Sequence, residues 1–212
     1  MNVNKTDGTI LVVEDIEQIR ELLKMTLSFH GYSVATASNG LEALEVIEEE
    51  HPVLIITDLL MPKMDGYAMI YQLRRNKETR AIPILVLSAT YVSSEDKEFA
   101  LSLGAVHFIE KPIDTSEFLL TVAETLAMGI ESREPKLDDL AFFTGYRNRL
   151  EGKLQQKIQQ IARTERLLKT LPNPQKAGFQ SMLAEARDHR KEILADLDDI
   201  NKNLEKLKLE SG

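Results

Sequence analysis

The sequence predicts an α/β fold, a five-stranded parallel doubly wound sheet, followed by an all-α antiparallel helical hairpin. Three observations carry this. All ten valines lie at or before Val122, and Val favours strands; the rest is rich in Leu, Lys, Glu, Gln, Asp and Arg, as long helices are. Charge divides at nearly the same place. Residues 1–135 hold 11 basic and 22 acidic side chains, net −11, while residues 136–212 hold 15 and 12, net +3. Finally, short apolar runs alternate with helical patterns in the first part, and an apolar heptad replaces them in the second.

The first strand is Thr9–Val13, an apolar β-branched run of the kind buried on both faces of a sheet. Similar runs recur at Tyr32–Thr36, Val53–Thr57, Pro83–Ser88 and Val106–Ile109. Between them, Ile16, Ile19, Leu22, Leu23 and Leu27 follow helical spacing, as do Leu41, Leu44 and Ile47. Phe118, Leu119, Val122 and Leu126 form the last such pattern, and Asp114 to Glu117 has the form of a capping box before it. Such alternation implies a parallel sheet covered on both faces, joined by right-handed crossovers.

Composition excludes several chemistries. There is no cysteine, which removes disulfides, thiolate metal sites and thiol nucleophiles. The apolar runs are far shorter than the eighteen or so residues of a membrane span. The polar start, Met1 to Gly8, lacks an apolar signal core, so a cytoplasmic protein is the expectation. His30, His51, His107 and His189 are scattered, against a histidine metal cluster.

Ligands of such sheets bind beyond the carboxyl ends of the strands. Glu14 and Asp15 follow strand 1, Asp58 follows strand 3, Ser88 ends strand 4 and Lys111 follows strand 5. Three carboxylates so placed would raise one another's pKa. A hard divalent cation resolves the conflict, and all-oxygen donors suit Mg²⁺.

The run Val12 to Asp15, then Asp58 to Gly66 (DLLMPKMDG), Leu87 to Ala89 and Lys111–Pro112 resembles the receiver domain of bacterial two-component response regulators. The resemblance covers residues 8–130 and implies the flavodoxin-like strand order 2-1-3-4-5. It makes Asp58 the phosphoacceptor. It also implies an Mg²⁺ site of Glu14, Asp15, Asp58 and the backbone carbonyl of Leu60, with Asp15 a direct ligand. Ser88 and Lys111 would hold phosphoryl oxygens, Phe108 would be the switching aromatic, and Pro112 would follow a cis peptide bond. The partner implied is a cognate sensor histidine kinase or a phosphotransfer protein. Plainer readings stand beside these: Glu14 or Asp15 as a cap for helix 1, Phe108 as core, Met61, Met64 and Met69 as packing, Asp65–Gly66 as a turn and helix start. Lys111, at the surface edge, is expected to tolerate truncation with little loss of packing.

Residues 131–136 read as a linker between Gly129 and Pro135, and 137–209 as a coiled-coil hairpin. Apolar residues fall at 140, 143, 146, 150, 154, 158, 161 and 168. Leu171–Pro–Asn–Pro174 then breaks the helix, with the turn near 172–174. The pattern resumes at 179, 183, 186, 193, 197, 200, 204 and 207, with Arg190 filling the missing core slot. Antiparallel pairing opposes residues whose numbers sum to about 347, so Leu168 meets Phe179, Ile161 meets Ala186 and Phe143 meets Leu204. The run from 150 to 161 has an eleven-residue spacing, where supercoiling should relax.

The first hairpin helix is basic, with 7 positive and 2 negative residues from Arg147 to Lys169. The register sets Arg163 near Glu185 and Arg149 near Asp198, so pairing within the hairpin is expected and nucleic acid is not the expected partner. The output is expected to be contact with an unidentified protein target. The alternatives are a DNA-binding transcriptional regulator acting through this helix, or a helical phosphatase using Glu151 with Gln155 or Asp199 with Asn203. Leu150, Leu167, Leu171, Met182 and Leu194 flank the seam and suggest a homodimer through the hairpin. Glu165 and Arg190, in core-type slots, would set register between chains. The counter-expectation is a monomer whose hairpin folds onto the acidic first part.

Overall fold

The computed structural model describes residues 8–88, 94–128 and 138–210. Five strands and five helices alternate in the first part: β1 (Thr9–Val13), α1 (Glu17–Phe29), β2 (Ser33–Ala37), α2 (Gly40–Glu50), β3 (Leu54–Thr57), α3 (Gly66–Arg75), β4 (Ile84–Ser88), α4 (Ser94–Ser102), β5 (His107–Glu110) and α5 (Thr115–Ala127). The strands form one parallel sheet in the order β2-β1-β3-β4-β5. The chain divides into two compact units, Met1–Leu137 and Asp138–Gly212. The linker expected at 131–136 lies outside the described residues.

Alternation along the central strands fills both faces. Ile10, Val12, Leu54, Ile56, Leu85 and Leu87 pack with Leu23 and Leu27 of α1 and Phe118 and Val122 of α5. Leu11, Ile55 and Val86 point the other way, and the buried residues Ala43, Ile47, Met69 and Ile70 come from α2 and α3. Leu22 and Leu41, counted in the apolar stripes by spacing, are exposed. The stripes that face the core are narrower, because each helix covers one face of the sheet only.

Strand register brings the site together. Val13 pairs with Ala37 on one side and Thr57 on the other, Thr57 with Val86, and Ser88 with Glu110. The ladder then runs one residue past each strand end: Glu14 donates its N–H to Ala37, Asp58 to Val13 and Lys111 to Ser88. The backbone of the three charged residues is therefore fixed by the sheet rather than by a loop.

The second unit holds α6 (Asp139–Thr170), a 3₁₀ turn at Asn173–Gln175 and α7 (Lys176–Glu210). Asp138 caps α6 by accepting the Ala141 N–H at 2.8 Å. On α7 every heptad slot from Phe179 to Leu207 is buried or half-buried. On α6 the seam differs from the apolar pattern. Phe142, not Phe143, is fully covered and stacks on Tyr146 at 5.4 Å. Ile158 is exposed, while Lys157 is half-buried and Thr164 buried. The slots 150, 154, 157, 161, 164 and 168 thus step regularly by four and three. The eleven-residue spacing arose from counting only apolar side chains; the helix keeps its heptad by placing a Lys stem and a Thr in the seam.

Leu150 accordingly lies in the seam rather than beside it. Ile161, Leu183 and Ala186 form the cluster near the turn, with Leu168 against it. Glu165, expected to act between chains, accepts from Arg187 of its own hairpin at 2.7 Å. Arg163 and Glu185 form no ion pair among the described residues, and Asp198 holds Lys202 on its own helix at 2.5 Å.

Candidate phosphoacceptor site

Glu14, Asp15 and Asp58 each offer a carboxylate oxygen, and these oxygens lie within 4.8 Å of one another. Lys111 Nζ donates to Glu14 Oε2 and to Asp58 Oδ2, both at 2.6 Å. Asp58 Oδ1 accepts the backbone N–H groups of Leu59 and Leu60, which fixes the carboxylate plane. Thr57 Oγ1 donates to the Asp58 carbonyl at 2.7 Å. Glu14, Asp58 and Ser88 are buried, and Asp15 is the most open of the acids.

Electrostatics follow from that burial. Desolvation raises the Glu14 pKa even though Lys111 pulls the other way. Asp15 is raised as well, by burial first and then by the Asp58 charge. Burial alone would lower the Lys111 pKa, but its bonds to Asp58 and Glu14 outweigh that and leave it raised. One ammonium between crowded carboxylates leaves net negative charge at a buried edge, and such an edge draws a cation. An all-oxygen donor set with an open acid fits Mg²⁺, which keeps part of its water shell. Ser88 adds a second feature, since its hydroxyl is buried and without a hydrogen-bond partner among the described residues. A buried orphan hydroxyl beside a carboxylate cluster suits an arriving oxyanion.

Neither Glu14 nor Asp15 caps α1. The N-cap is Ile16, with no side-chain cap bond, and Arg20 Nη1 binds the Glu14 carbonyl at 2.7 Å. Asp65 caps α3 by accepting the Ala68 N–H at 3.0 Å. Phe108 is half-buried with Lys97 Nζ 5.7 Å from its ring centre, so it is not a core residue. Met61 and Met69 are buried packing. The Lys111–Pro112 bond is cis.

Three structural roles escaped the sequence reading, which had Gly66 only as a turn and helix start. A Cβ on Gly66 would meet the Asp58 carbonyl oxygen at 2.4 Å, and its N–H binds the Leu59 carbonyl at 3.0 Å. Gly66 therefore lets α3 close on the loop that carries Asp58; the aspartate seven residues before the DG pair was the available signal. Gly40 plays the same part from α2, its N–H on the Met64 carbonyl at 2.9 Å. Arg74 is buried, with Nη1 on the Ile82 carbonyl and Nη2 on that of Gly104. Nothing in a lone helix arginine announced that role.

The sequence profile of the response regulator receiver domain matches residues 10–123. The chain belongs to the response regulator receiver family. A curated relative named "Probable transcriptional regulator ycf27" from Porphyridium aerugineum is 39% identical over 117 residues, 55% of this chain and 47% of that protein. "Response regulator MprA" of Mycobacterium leprae (strain TN) is 38% identical over 132 residues, 62% and 54% of the two chains. The chain spans about half the length of the curated relatives it matches. Among solved structures, the receiver domain of a signal transduction histidine kinase from Syntrophus aciditrophicus matches with a TM-score of 0.54 at 36% identity, covering 57% of this chain and 91% of that one. Chemotaxis response regulator CheY4 of Vibrio cholerae gives 0.52 at 32% identity, covering 56% and 98%. Receiver domains are signalling modules that bind Mg²⁺ at an acidic pocket and interact with sensor histidine kinases or phosphotransfer proteins. The family match ends before α6 begins. No helix among the described residues is long and apolar enough to cross a membrane.

Proposed function

We propose that this chain is a phosphorelay response regulator of the cytoplasm. Asp58 accepts a phosphoryl group in an Mg²⁺-dependent reaction, and the helical hairpin passes the change to another protein. The observation that carries this is the convergence of three carboxylates, Lys111 and an orphan buried hydroxyl on one sheet edge.

An Asp58 oxygen attacks the phosphorus of a phosphohistidine on a sensor kinase or phosphotransfer protein. The P–N bond breaks, its electrons return to the imidazole, and an acyl phosphate forms. Glu14, Asp15, Asp58 and the Leu60 carbonyl would hold Mg²⁺, which would neutralise charge on the phosphoryl oxygens. Lys111, within 2.6 Å of Asp58 Oδ2, is in reach of an oxygen of a group attached there. The Ser88 hydroxyl is a donor for another, and Phe108, only half-buried, is free to change rotamer in response. Transfer of this kind is governed by positioning and charge more than by acid–base work.

The test is intact-mass analysis of the full chain with a small phosphodonor. We expect one added phosphoryl group with Mg²⁺, none with chelator and none in Asp58→Asn. Equal labelling of both proteins would end the proposal.

For the hairpin, pairing of two chains is supported by Leu167, Met182 and Leu194, which remain exposed beside the seam. A second reading, DNA binding through α6, is favoured by one observation. Arg163, Arg166 and Lys169 are exposed, and none of the three is in an ion pair among the described residues. Three phosphate contacts would give a log–log salt slope of about −3. Retention on duplex DNA that ignores salt or the substitution of those three by Gln would dismiss it.

A further inference from the structure

The observed Glu165–Arg187 pair sets the register of one long edge of the hairpin. Moving one heptad along each helix places Ile158 level with Leu194, and one more places Glu151 level with Asn201. Ile158 and Leu194 are both large and exposed, at 42% and 47%. Leu167 and Met182, also exposed, lie on the opposite edge and close to the turn, and Leu140 and Leu209 lie at the far end of the helices. The two pairs therefore cannot serve one partner face together. Only the Ile158–Leu194 pair is near the middle of the helices, where polar neighbours on both sides would shield it from water once covered. Central, ringed apolar contacts of this kind carry interface energy.

The occupant follows from charge order. With two hairpins face to face and their turns at the same end, α6 of one lies beside α7 of the other. Ile158 then meets the second copy's Leu194, Glu165 meets its Arg187, and Glu151 meets its Asn201. With the turns at opposite ends, α6 lies beside α6 and Glu165 would approach Glu151 of the second copy, like on like. The edge is thus complementary to itself in one orientation. A two-helix face about 45 Å long and about 20 Å wide suits the roughly 800 Å² per partner of a standard specific interface.

We propose that the Ile158–Leu194 edge is a self-association surface that joins two copies in parallel, turns together, as a four-helix bundle. This deepens, and rests on, the pairing of chains through the hairpin proposed above.

The full chain contains no cysteine, so single-cysteine variants report cleanly. Full chains carrying Ile158→Cys and Leu194→Cys are mixed and oxidised, with sedimentation equilibrium at tens of micromolar alongside. We expect the mixed disulfide to dominate over either self-linked species, and the wild type to sediment as two chains. Leu194→Asp should sediment as one chain with unchanged helical circular dichroism. Arg187→Glu should weaken association at least tenfold, and Glu165→Arg with Arg187→Glu should restore it. Self-linking of Ile158→Cys as efficient as the mixed product would overturn the orientation. A dimer that survives Leu194→Asp but is split by Met182→Asp would overturn the edge while leaving pairing intact. A monomeric full chain, phosphorylated or not, would overturn both.

Discussion

Lys111 and Arg187 form ion pairs of nearly equal length in opposite settings. Lys111 reaches Glu14 and Asp58 at 2.6 Å with its side chain 16% exposed and theirs 1% and 11%. Arg187 reaches Glu165 at 2.7 Å with the two side chains 51% and 43% exposed. Distance does not separate them, but solvent does. At the sheet edge desolvation dominates and lifts Glu14 despite its partner, so the crowded carboxylates there are under a tension that a cation can relieve. On the hairpin, water screens the charges, and the pair specifies register more than stability.

The largest effect that could break this contrast is Lys111→Ala. Truncation at a surface edge was expected to be mild, yet the structure shows two buried carboxylates that would lose their cation. We expect a loss of about 3 kcal/mol by denaturant unfolding with chelator present, much of it recovered in Mg²⁺. An unchanged midpoint would show the cluster to be solvated. Gly66→Ala comes next, since its Cβ has to displace backbone at Asp58. Overpacking there should cost roughly 2 kcal/mol and slow phosphorylation at Asp58 in the same protein; a normal rate would mean that the loop adapts.

A double-mutant cycle on Glu165 and Arg187 should give a coupling below about 1 kcal/mol that shrinks with salt. Coupling as large as that of Lys111 with Glu14 would erase the distinction. The smallest effect concerns Glu42, whose pKa is lowered first by the Ser38 hydroxyl and then by the Ser38 N–H. A lowered folded pKa contributes stability above the unfolded value and loses it as pH falls through the folded one. Ser38→Ala should move the Glu42 titration, followed by carbonyl-carbon NMR, back up toward the ordinary range. A titration already ordinary in the wild type would discount the bond.

Much of the first unit was legible because buried parallel strands leave apolar runs, and each site residue falls at a run's end. The match of β1 to Thr9–Val13 shows how little ambiguity four consecutive buried residues allow. Helix faces were less legible. Leu22 satisfied helical spacing yet faces water, since spacing fixes a stripe but not how wide a stripe the sheet covers. The hairpin shows the same limit: Ile158 looked like seam and Lys157 did not, yet the regular heptad from Leu150 to Leu168 put Lys157 inside.

By itself, then, the sequence determined the alternation of strands and helices, the antiparallel hairpin and the placement of acidic and basic residues at the strand ends. These are properties of local pattern, written in burial periodicity and in residue type. Only the tertiary structure decided that Lys111 shares itself between Glu14 and Asp58, that the Ser88 hydroxyl is buried with no partner among the described residues, that Gly66 makes room for the Asp58 loop, and that Ile158 lies on an outer edge. Each depends on which distant side chain or backbone atom occupies a particular few ångströms. Contacts between residues as far apart as 14, 58 and 111 are set by strand register in three dimensions, not by spacing along the chain.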